Sequence, residues 1–123
     1  MYKVLVFAGT TEGYEICRFL ADHKIETKGF VATEYGSKSL TESEFLTVQT
    51  GRLDAAAMEE IFLQEKPEMV LDATHPYAAE VTVNIRTACE NTQTAYYRVL
   101  REAGEHEDRA VYVDSVQAAA DYL

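Results

Sequence analysis

Cations are scarce in this 123-residue sequence: 11 Lys and Arg stand against 21 Asp and Glu, a net charge of −10 with a pI near 4.6. No run of Lys or Arg occurs, so the chain offers no surface that would release counterions from a phosphate backbone. Nucleic acid and anionic membranes are therefore not expected as partners. Long apolar runs are also missing. The stretch Val4 to Ala8 is too short for a signal-peptide core or a membrane span, and a cytoplasmic address is the default expectation. The two cysteines, Cys17 and Cys89, form no CxxC pair, and each falls on the apolar side of an expected helix, which predicts buried reduced thiols. His23, His75 and His106 show no HExxH-like spacing, and no metal site is expected. No repeat or low-complexity tract is visible. With 47% hydrophobic and 26% charged residues, the composition is that of one globular domain able to bury a core.

What is present is an alternation of β-branched runs with stretches of helical period, the sequence form of βαβ units around a parallel sheet. The expected fold class is α/β, a doubly wound parallel sheet in three α/β/α layers. The first strand spans Lys3 to Ala8, apolar without alternation, as a strand covered on both faces requires. A helix follows from Thr11 to His23, with Gly13, Ile16, Cys17 and Leu20 on one face. Strands are expected at Thr27 to Thr33 and Phe45 to Thr50, with a polar loop, 34–44, between them. Asp54 is placed to cap a helix that turns Met58, Ile61 and Phe62 inward and stops before Pro67. A fourth strand at Glu68 to Ala73 precedes a helix from Pro76 to Asn91, with Pro76 in its first turn and Ala78, Val81, Ile85, Ala88 and Cys89 inward. Thr94 to Val99 reads as a fifth strand and Ala110 to Val113 as a sixth, before a last helix capped by Asp114 or Ser115. Right-handed crossovers with one reversal after the first strand predict the order 3-2-1-4-5, the sixth strand extending the edge.

In such a sheet ligands bind beyond the carboxyl ends of the strands, and four clusters lie there. Gly9, Thr10, Thr11, Glu12 and Gly13 form the first turn, where helix amides can hold a pyrophosphate; the turn is not a GxGxxG, and plain helix capping explains the threonines equally well. At the tip of the second strand Glu34 suits a free ribose, whereas Thr33, Ser37 and Lys38 suit a 2′-phosphate, and a solvated polar loop accounts for them too. Gly51 and Arg52 follow the third strand. Thr74, His75 and Tyr77 follow the fourth, where the His75 imidazole could donate a hydrogen bond or proton near neutral pH; a single histidine is more often structural, and its place at the crevice favours function.

Taken together, Gly9-Thr10-Thr11-Glu12, Gly51-Arg52-Leu53-Asp54 and Asp72-Ala73-Thr74-His75-Pro76-Tyr77-Ala78, with Tyr97, Arg98 and Arg101, resemble the precorrin-6A reductase family of cobalamin biosynthesis, including its cobalt-precorrin-6A branch. The resemblance implies two Rossmann-like domains, of which residues 1–123 would be the N-terminal dinucleotide-binding one, the second being absent from this chain. It implies NAD(P)H-dependent reduction of a corrin macrocycle, with NADPH or NADH as cofactor. Gly9, Thr10, Thr11, Glu12, Gly13, Thr33, Ser37, Lys38, Gly51 and Thr74 would bind the cofactor. Arg52, His75, Tyr77, Arg98 and Arg101 would bind the substrate, with His75 as the catalytic candidate. The arginines would also offset repulsion between an acidic chain and a polycarboxylate corrin. Two other readings stand beside this one. A non-catalytic nucleotide-sensing domain would use the same first turn, and a methyltransferase would use an acidic residue after the second strand, as Glu34 is.

Overall fold

Residues 2–32, 40–75 and 78–99 are described by the structure, a computed structural model. Among the described residues the elements run β1 (Val4–Phe7), α1 (Thr11–Asp22), β2 (Thr27–Val31), β3 (Leu46–Thr50), α2 (Ala55–Glu65), β4 (Met69–Asp72), α3 (Ala79–Thr92) and β5 (Tyr96–Arg98). The sheet has the order β3-β2-β1-β4-β5, and every pairing is parallel. That is the order the crossover rule predicts, with the reversal between β1 and β4. The expected sixth strand and last helix lie outside the described residues.

β1 shows why its sequence does not alternate. Val4, Val6 and Ala8 pack on one face with Ile16, Cys17 and Leu20 of α1. Leu5 and Phe7 pack on the other with Met58 and Phe62 of α2 and Ile85, Ala88 and Cys89 of α3. Each face thus has a helical cover, giving three layers. Gly13 is the closest approach between α1 and the sheet: a Cβ there would lie 2.9 Å from Ala8 Cα and 3.3 Å from Ala73 Cβ. Asp54 caps α2 as expected, its Oδ1 accepting from Ala57 N–H at 2.8 Å. α2 and α3 end in left-handed caps that are not glycine, Lys66 and Gln93, with φ of 48° and 55°, and Lys24, with φ of 59°, follows the α1 cap His23.

Two expectations need correction. α3 begins at Ala79, and the expected start at Pro76 lies outside the described residues; Ala78, expected to face inward within this helix, is instead its cap, its N–H donating to the His75 carbonyl at 2.9 Å. The 34–44 segment is not wholly polar loop in character, because Leu40 is buried in the α1-side core against the sheet.

Candidate site at the carboxyl edge of the sheet

The turns after β1 and β4 emerge side by side because those strands are hydrogen-bonded neighbours, Phe7 in register with Asp72. Ala73 N–H continues the ladder to the Phe7 carbonyl at 2.9 Å. Thr10 then joins the two turns. Its Oγ1 donates to the Ala73 carbonyl at 2.7 Å and accepts from Gly13 N–H at 3.2 Å, making Thr10 the cap of α1. A Cβ on Gly9 would sit 3.9 Å from Thr74 Cα, in ordinary contact, so the two turns lie side by side. The structure thus brings together the two clusters at the topological reversal.

Several candidate residues turn out to be engaged internally. The Thr10 hydroxyl proton is committed to Ala73 and the Gly13 amide to Thr10. Gly13 therefore contributes room rather than a donor. Thr11 is exposed at the first helical position, and Gly9 is exposed as well. Thr74 is buried; its N–H and hydroxyl both donate to Asp72 Oδ1, at 3.1 and 2.7 Å. His75, the next residue, is exposed.

Asp72 closes β4 and heads the run to Ala78, and its local sequence assigns no role to it. It is fully buried at the end of an apolar strand, where an uncompensated carboxylate would be very costly. Its compensation is dense. Besides Thr74, it accepts from Thr82 of α3 at 2.9 Å and from the Tyr96 hydroxyl at 2.8 Å, both on Oδ2. Arg98 Nη1 closes a 2.9 Å ion pair on Oδ1 and also donates to the carbonyls of Asp72 and Thr74, at 3.1 and 3.0 Å. The register Asp72↔Arg98 sets this pair. Burial, and then the hydrogen bond to Asp72, push the Tyr96 phenol well above its ordinary value, so it remains a donor at any physiological pH. A charged residue closing an apolar strand was the available signal. Its partners come from β5 and α3, which no local pattern links.

Arg52 and Arg98 do not share one cluster. Arg52 follows β3, two strands from β1 in the sheet order, roughly 10 Å at ordinary strand spacing. It is exposed, beside the end of β2, where Gly51 N–H donates to the Val31 carbonyl at 2.9 Å. Gly51 has φ of +127°, a conformation that favours glycine. Arg98 lies on the opposite side of the reversal, and its bonds to described residues all leave from Nη1. Thr33, Ser37, Lys38, Tyr77 and Arg101 lie outside the described residues.

Both cysteines are buried and free. Burial raises each thiol from 9.0 to about 12. Among the described residues no helix is long and apolar enough to cross a membrane.

With this geometry in hand, the likeness to known proteins is specific. Over 100 residues the chain is 34% identical to the cobalt-precorrin-6A reductase of Methanothermobacter thermautotrophicus, covering 80% of this chain and 33% of that protein. It is 30% identical over 122 residues to the precorrin-6A reductase of Rhodobacter capsulatus, covering 97% and 47%. The chain therefore spans between a third and a half of these relatives. A solved CobK precorrin-6A reductase superposes with a TM-score of 0.71 at 30% identity, over 83% of this chain and 40% of that one. The Bordetella bronchiseptica enzyme WbmG, solved with NAD and UDP, gives a TM-score of 0.67 at 15% identity, over 96% and 48%, a likeness of Rossmann fold alone. The family model described as precorrin-6x reductase CbiJ/CobK matches residues 3–123. Sequence, sheet order and the paired turns at the reversal agree: the chain belongs to the precorrin-6x reductase CbiJ/CobK family.

Proposed function

We propose that residues 1–123 form the dinucleotide-binding domain of an NAD(P)H-dependent oxidoreductase that reduces a precorrin-6A-type corrin, cobalt-precorrin-6A in particular. In this reading the region of the relatives beyond the span of this chain supplies the remainder of the cleft. The observation that carries the proposal is the Thr10 to Ala73 hydrogen bond, which fixes the phosphate-type turn against the turn bearing His75. The donor set suits a dinucleotide: an exposed Gly9 and the opening amides of α1 face an anion with the favourable end of the helix dipole. Gly9, Thr10, Thr11 and Glu12 would hold the pyrophosphate through backbone, while Thr10 also keeps the turn in place.

When bound, the nicotinamide supplies the hydride. The chain's own part is orientation. His75 stands at the carboxyl edge beside the turn of Gly9 and is assigned to positioning the corrin, with Tyr77 and Arg101 as further substrate contacts. Thr33, Ser37 and Lys38 are assigned to the adenosine ribose. Arg52, beside the end of β2, is assigned to that same end rather than to the corrin.

Calorimetric titration of the protein with NADPH, NADH and S-adenosylmethionine tests the reading, together with oxidation of the reduced dinucleotide in the presence of cobalt-precorrin-6A. Binding of a nicotinamide dinucleotide and corrin-dependent oxidation are expected. Dinucleotide binding without turnover in the whole protein would favour a nucleotide sensor, and binding of S-adenosylmethionine instead would overturn the proposal.

A further inference from the structure

We propose that Asp72 is a positioning residue for the reaction, acting through Arg98, Thr74, Thr82 and Tyr96 to fix the turn that carries His75. The inference rests on the functional reading of His75 given above. Its basis is the way the network is aimed. A buried carboxylate needs its acceptor sites filled, and here the donors that fill them converge on one turn. Oδ1 receives both the amide and the hydroxyl of Thr74 as well as Arg98 Nη1. The same Nη1 contacts the carbonyls of Asp72 and Thr74. Oδ2 ties the turn to α3 through Thr82 and to β5 through Tyr96. The backbone just before His75 is thereby held at its amide and its carbonyl, from one side by the carboxylate and from the other by the guanidinium.

The consequence is a turn whose exposed residue is set by buried neighbours. Pre-organisation of this kind is what a group that must orient a large rigid macrocycle requires, since a displacement of about 1 Å can cost about a hundred-fold in rate. Thr10 supplies the complementary restraint from the β1 side, on the Ala73 carbonyl.

The test uses the whole protein with Asp72→Asn, and with the milder Tyr96→Phe and Thr82→Val, each removing one donor should Asp72→Asn fail to fold. For variants that keep the wild-type circular dichroism, kcat for cobalt-precorrin-6A is expected to fall about ten-fold or more, while the Kd for NADPH moves less than about three-fold. Combined with His75→Ala, the same substitutions should cost almost nothing further, because the two act in one chain of effect. Independently of turnover, nitrogen relaxation of the His75 backbone amide should show new motion in each variant. Full additivity with His75→Ala, or an unchanged His75 amide, would overturn the positioning role. Absence of wild-type turnover would instead sink the reductase reading, and the relaxation measurement would still decide whether Asp72 fixes the turn.

Discussion

His75 is exposed and follows a strand end locked by buried partners, and the proposed positioning of the corrin rests on it. His75→Ala is expected to lower kcat in the whole protein by about a hundred-fold with little change in dinucleotide Kd, measured by steady-state kinetics and calorimetry. Thr10 has a different kind of role. Thr10→Val removes the α1 cap and leaves the Ala73 carbonyl without its donor, so a loss of about 1–2 kcal/mol by urea denaturation is expected, with weaker dinucleotide binding; Thr10→Ser should retain most of both. The thiols make a third prediction. Cys17 and Cys89 keep their protons in the fold to about 12, against 9.0 as the ordinary value. Between those values the folded state binds more protons than the unfolded one, so their contribution to stability is complete below pH 9.0 and is lost as pH rises through the window. Native protein at pH 8 should resist iodoacetamide and become alkylated on unfolding, as mass spectrometry would show.

At the scale of elements, local patterns revealed what local physics decides. The run Val4 to Ala8 reads as a strand with two covered faces because both of its faces are in fact lined by helices. Asp54 and Pro67 bracket α2 because capping and the missing proline N–H act within a turn. Beyond that local reach lies Asp72, whose bonds to Thr82, Tyr96 and Arg98 join β4 to α3 and β5. That network, and the burial of Leu40, exist only once the sheet is assembled, and no spacing in the sequence encodes them. The stripe of Gly13, Ile16, Cys17 and Leu20 was legible in full and is now explained at its head. Gly13→Ala would force a Cβ to 2.9 Å from the Ala8 backbone, which cannot rotate away. The expected cost is about 2 kcal/mol in denaturant melts, with reduced dinucleotide affinity because the first turn moves with it.

At the scale of the whole molecule, the order β3-β2-β1-β4-β5 puts β1 at the centre of the described sheet, with a helical layer on each face. Its amides, and those of β4, should show the slowest hydrogen exchange, while β3 and β5 at the two edges of the described sheet exchange sooner. Rapid exchange at Leu5 or Val6 would contradict the layered packing. The pairing of Val4 with Met69 also has a kinetic consequence. Of these five strands β1 is made first, and it acquires its second neighbour only after β2, β3 and α2 have been made. Until then Leu5 and Phe7 lack the helices that will cover them, and an open strand edge waits beside them. Such long-range closure predicts slow refolding and a nascent chain that depends on holding factors, so fragments ending before β4 should aggregate where longer ones stay dispersed.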